Sequence, residues 1–204
     1  MRSCDNAAMP NDYQVVAAAG ASLLGIVSFF PYYRDVLRGS TKPHLFTWII
    51  WTTLTGATAL IQLAAGGGVG ALVAGVESLS CFGITLFAVS RGERSIMRFD
   101  WMCLILAFVA IALWLVVHQP LLAIAFAVIA DLLAFLPTFR KSYRKPHEET
   151  ASQFALSAAH WLVSLFALES RTLVTLLYPV AISLFDLTLF FSLIVRRRQL
   201  GTAA

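Results

Sequence analysis

The chain has 204 residues, of which 59% are hydrophobic and 13% charged, with a formal net charge of +4. Soluble domains run nearer ~45–50% and ~25%, and the mean hydropathy is +0.78. A compact soluble protein could not hide so much apolar surface, so a soluble catalytic domain is excluded and an all-α integral membrane protein is predicted, with lipid doing the burying.

Residues 1–12 are polar and carry no apolar core ahead of a cleavage site, so an extracytoplasmic tail is expected there rather than a removable signal. Seven apolar runs of near-spanning length follow, at about 13–31, 44–65, 69–90, 99–118, 119–139, 153–169 and 172–195. The breaks fall at Pro43, Gly66-Gly67-Gly68, His118-Gln119-Pro120 and two basic loops. Gly20 and Gly25 in the first span, and Gly70, Ala74 and Ser78 in the third, read as small-residue ridges for close packing. Cys81 and Cys103 lie in apolar runs and, with Cys4, lack the spacing of a disulfide framework or a zinc site, so they read as small buried thiols.

The second span carries the clearest polar face. His44, Trp48, Trp51, Thr55, Thr58 and Gln62 recur at steps of three and four. Rings and hydroxyls on one face suit a small polar solute. They equally suit an interhelical seam in which threonines bond their own preceding turn. The sixth span repeats the pattern with Ser157, His160, Trp161 and Ser164; no His or Cys stands one turn from His160, so no metal site is expected. Glu77, Asp131 and Asp186 lie deep in the third, fifth and seventh spans. A carboxylate at such depth is expected to take a proton or a cationic partner. A structural alternative is a protonated acid in a hydrogen bond, for instance Asp131 to His160.

Thirteen of the 15 basic residues fall on one face if the seven runs alternate, against Arg2 and Arg171 on the other. The positive-inside rule then sets the N-terminus outside and the C-terminus in the cytoplasm. Clusters so short and one-sided suit contact with lipid headgroups, not nucleic acid.

The chain also resembles itself at a period of 106 residues. Pro31-Tyr32-Tyr33-Arg34 and Arg38 match Pro137-Thr138-Phe139-Arg140 and Arg144, with Trp51 and Trp161 downstream and Lys-Pro-His in both loops. Two like-oriented triple-helix units need an extra span between them. Residues 13–90 form the first triple, 91–118 the linker helix, 119–196 the second triple and 197–204 a cytoplasmic tail. The linker is apolar throughout from Leu104 to Val117 apart from the Trp114 indole, as befits a helix that faces lipid.

A 3+1+3 arrangement with a proline at the end of the first helix of each triple resembles the SWEET/PQ-loop transporter superfamily. Tyr32 and Thr138 stand where its Pro-Gln pair would have glutamine. The resemblance implies alternating access, with Pro31 and Pro137 as hinges, and pocket residues from the third and seventh spans. The expectation is a plasma-membrane carrier, in a bacterial inner membrane, for a small polar or cationic solute, without a cofactor or enzymatic activity. Its partners would be the solute and lipid, with room for a homo-oligomer. Substrate contacts are assigned to Trp48, Trp51, Thr55, Glu77, Ser157, His160, Trp161 and Asp186, and proton coupling to Asp131, Asp186 and Glu77. A retinal protein is excluded because Lys42, Lys141 and Lys145 all lie in loops. A non-opsin receptor on the same fold, or an intramembrane hydrolase using Asp131 and Asp186, are the alternatives.

Overall fold

The computed structural model describes residues 12–64, 68–117, 119–167 and 172–201. Among them are seven α-helices and no strand: α1 Asp12–Leu37, α2 Leu45–Ala64, α3 Gly68–Arg91, α4 Arg98–Val116, α5 Pro120–Arg144, α6 Ala151–Ala167 and α7 Leu173–Gly201. A 3₁₀ turn, Pro146–Glu148, precedes α6. Two stretches within the described residues are long and apolar enough to cross a membrane, Val15–Leu37 and Leu176–Gly201; Leu45–Ala57 is a shorter apolar helix.

Three helices outrun their expected ends. Pro31 does not close α1, which continues to Leu37, and Pro137 lies inside α5, which runs to Arg144. Each proline removes one backbone bond without stopping the helix, because its neighbours hold the flanking turns. The last helix reaches Gly201, so residues 197–201 of the expected tail are helical.

Helix pairing follows a pattern. Within residues 13–90, α2 packs on α3 and α1 touches α3; within residues 119–196, α6 packs on α7 and α5 on α7. Across the two sets, α1 packs on α6 and α5 on α2. Exchanging α1 with α5, α2 with α6 and α3 with α7 therefore returns the same set of neighbours.

The linker helix stands apart, resting on α5 and α2 alone. It buries a narrow stripe, Asp100, Cys103, Ala107, Ala110 and Ile111, and leaves Trp101, Ile105, Val109 and Val116 exposed. Ala107 and Ala110 meet Ala127, Ala130 and Ala134 of α5 in one core cluster, where methyl-sized side chains let the backbones approach. The larger core joins Phe29, Tyr32 and Val36 with Trp48, Phe135, Phe154, Leu189 and Leu193.

Buried polar groups and exposed apolar ones occur side by side. Asp100, Asp131, Glu149, Lys141, Gln153, His160 and Asp186 are buried, whereas Phe30, Leu79, Phe82, Leu86, Leu184 and Phe191 face outward.

The four basic loops converge on one end of the bundle. Arg140 grips the Asp100 carboxylate with Nε at 3.0 Å and Nη2 at 2.6 Å, and the same carboxylate accepts the Met97 N–H at the start of α4. Lys141, itself buried, donates to Glu149 and to the carbonyls of Lys42 and Glu148. Lys145 pairs with Glu93, and Arg197 donates to the Pro146 and Glu149 carbonyls. Burial pushes the Glu93 carboxyl up, but the Ser95 N–H and hydroxyl and the Lys145 ammonium outweigh it and hold it at about 2.

Candidate functional site

Six helices line a cavity of about 50 Å³, and among the described residues none of α4 joins its lining. Each supplies residues a helical turn apart. Gly25, Ser28 and Phe29 come from α1, Trp48, Trp51 and Thr55 from α2, and Glu77 and Cys81 from α3. Asp131 and Phe135 come from α5, Gln153, Ser157, His160 and Trp161 from α6, and Tyr178, Ile182 and Asp186 from α7. Spacings of three and four residues keep these side chains on one face of each helix.

All nine residues expected from sequence to bind solute or take a proton therefore meet in a single space: Trp48, Trp51, Thr55, Glu77, Asp131, Ser157, His160, Trp161 and Asp186. The two hinge candidates do not line it. Pro31 is half-buried in α1, and Pro137 is buried in α5 near the polar end. The remainder of the second-span stripe divides. His44 precedes α2 and sits at the polar end, 3.5 Å from Asp100. The Thr58 and Gln62 side chains lie outside the described residues.

The lining is partly a structural seam. The Trp48 indole donates to the Tyr32 hydroxyl at 3.1 Å, and the Thr55 hydroxyl returns to the Trp51 carbonyl at 2.7 Å. Thr52 and Thr53 bond their own preceding turns in the same way. Aromatic rings brace one wall in an edge-on series, Trp48 to Trp51 at 4.9 Å and Trp51 to Phe135 at 4.8 Å. On the other wall, Trp161 meets Tyr178 at 5.5 Å.

The Asp131–His160 bond of the structural alternative is not among the described hydrogen bonds. Tyr178 donates its hydroxyl to Asp131 at 2.5 Å. His160 instead bonds the Ala21 carbonyl through Nδ1 at 2.6 Å. Gly25 explains the choice, since a Cβ there would lie 3.1 Å from the imidazole. A bare turn on α1 admits the ring, which then reaches the carbonyl one turn earlier. At Gly20, by contrast, a Cβ would meet nothing within 4 Å, so the predicted ridge packs only at its Gly25 end.

The electrostatics are one-sided. Three carboxylic side chains line the cavity and no lysine or arginine does. Several lining donors are spent on other lining residues: Ser28 on the Gly25 carbonyl, the Gln153 amide nitrogen on Ser28, and Tyr178 on Asp131. Among the described residues of the lining, two buried acceptors are left without a hydrogen-bond partner, Gln153 Oε1 and Asp186 Oδ2.

Tyr178 and Gln153 had no place in the sequence reading. The only signal for Tyr178 was its helical register, two turns before Asp186. Compared with family models, curated proteins and solved structures, the chain matches none of them.

Proposed function

We propose that the chain is a seven-span membrane carrier that moves a small polar solute by alternating access. The observation that carries this reading is the cavity: both helix triplets contribute to it, the linker helix does not, and its polar lining sits inside an apolar exterior. Exchangeable helix pairing supports two like-oriented repeats around a shared site, the plan on which the resemblance to SWEET/PQ-loop carriers rests. In this reading the basic end faces the cytoplasm of a plasma membrane, and the N-terminus lies outside.

Pro31 and Pro137 would let α1 and α5 flex just beyond the cavity. The buried acids would bind solute or exchange protons with it. Purified protein in liposomes tests the reading directly: uptake of a panel of labelled sugars, amines, amino acids and nucleosides is measured with and without an imposed pH gradient. Saturable uptake abolished by Asp186→Asn supports a carrier, and a rate unchanged by the gradient removes proton coupling. Saturable binding without flux would transfer the protein to the receptor class.

A further inference from the structure

The acids of the cavity are not equivalent. Asp131 is committed, because the Tyr178 hydroxyl donates to it. Asp186, only 2% exposed, has an Oδ2 that no described donor reaches. Gln153, 5% exposed, turns its amide nitrogen to Ser28 and leaves Oε1 unpartnered in the same cavity. Both residues line the same cavity, so the free amide oxygen and the free carboxylate oxygen belong to one space.

Buried acceptors without donors carry a desolvation cost that a ligand can relieve. We infer that Asp186 and Gln153 form the seat for the primary ammonium group of a small organic cation, flanked by Trp48, Trp51, Trp161 and Tyr178. The inference deepens the carrier reading by naming the chemistry of its solute. An ammonium N–H reaches carboxylate and amide oxygens at about 2.7–2.9 Å, so one nitrogen bridges two such acceptors. Indole and phenol faces add attraction for the same charge. A quaternary ammonium satisfies the rings but offers no N–H, leaving both oxygens unpaired. A zwitterion would push its carboxylate against Glu77 and Asp131. Size narrows the class further, since about 50 Å³ admits roughly four water positions at ~10–15 Å³ each. The solute is accordingly an alkylamine or amino alcohol of a few non-hydrogen atoms.

The test is isothermal titration of the full-length protein in detergent micelles with ethylammonium, tetramethylammonium, 1-propanol and potassium chloride at matched ionic strength. Ethylammonium is expected to saturate one site and to bind about tenfold or more tighter than the other three. Asp186→Asn should weaken it by about ten- to hundredfold, and Gln153→Met by a smaller factor, with helical circular dichroism unchanged. If Asp186→Asn does not fold, Gln153→Met and the ligand series decide the matter. Equal or tighter binding of tetramethylammonium or 1-propanol overturns the proposal. So does potassium binding that competes with ethylammonium at equal affinity, ethylammonium binding indifferent to both substitutions, or no binding. Liposome flux separates the two claims: ethylammonium that binds in the seat but does not cross overturns the carrier and leaves the seat. Flux of another solute, without ethylammonium binding, overturns the seat and leaves the carrier.

Discussion

Lys42 and Glu148 stand 106 positions apart, the same interval as the sequence repeat, and they touch twice: the Lys42 N–H donates to the Glu148 carbonyl at 3.1 Å and the ammonium to the carboxylate at 2.7 Å. In a two-fold arrangement, only positions near the axis meet their own equivalents. In the two-repeat reading, the contact would lie on such an axis at the polar end of the bundle, between the α1–α2 and α5–α6 loops. Its neighbours agree, since Thr41 and Thr150 share a hydrogen bond at 2.6 Å and Lys141 reaches across to the Lys42 carbonyl.

Lys141 and Glu149 form the deepest ion pair of that end, both side chains at 1% exposure or less. Removing one member leaves a buried charge. Lys141→Met is expected to lower unfolding stability by about 3–5 kcal/mol, whereas Lys141→Met with Glu149→Leu should recover most of the loss. Unfolding in mixed micelles checks this, and a double variant no better than the single would show that the two carbonyl bonds of Lys141 dominate.

Tyr33 crosses the face of α3 at Gly83 and donates to the Ser80 carbonyl at 2.6 Å. A Cβ at Gly83 would lie 2.2 Å from the Tyr33 hydroxyl. Gly83→Ala should therefore displace the ring and cost about 1–3 kcal/mol. Adding Tyr33→Phe removes the clashing oxygen and should restore part of that cost. Thermal melts of the four variants in one cycle read the coupling directly.

Tyr178→Phe strips Asp131 of its shortest bond and should cost about 1–3 kcal/mol. In Asp131→Leu the same change should cost far less, because the acceptor has gone. Additive losses in this cycle would mean that the 2.5 Å contact contributes nothing to stability.

Glu93 sets a pH dependence at the polar end. Its carboxyl titrates at about 2 in the folded chain against an ordinary 4.5, so the folded state favours the charged form. That stability is complete above about 4.5 and is lost as the pH falls toward 2. Melting temperature is expected to fall across this window, and Glu93→Gln should be less stable at pH 7 and show a shallower fall. Parallel slopes for the two proteins would rule Glu93 out as the source.

Much of this was readable along the chain because the helical period is local. Apolar runs marked the helices, and residues such as Trp48, Trp51 and Thr55 share a face whatever surrounds them. Glu77, Asp131 and Asp186 stood out because acids in apolar runs need company, and the cavity provides it. His44 left its stripe because α2 starts one residue later, which turns the imidazole toward Asp100 and Arg140 instead of the cavity.

Partnership was another matter, because it depends on residues far apart that only packing brings close. Whether Asp131 would turn to His160 or Tyr178 depended on how α5 lies against α7, and His160 was claimed by a backbone carbonyl that Gly25 leaves accessible. Which acid keeps an oxygen unpaired follows from those same contacts. Periodicity is a property of neighbours in the chain and can be read there. Hydrogen-bond satisfaction is a property of neighbours in space, and it separates Asp186 from Asp131.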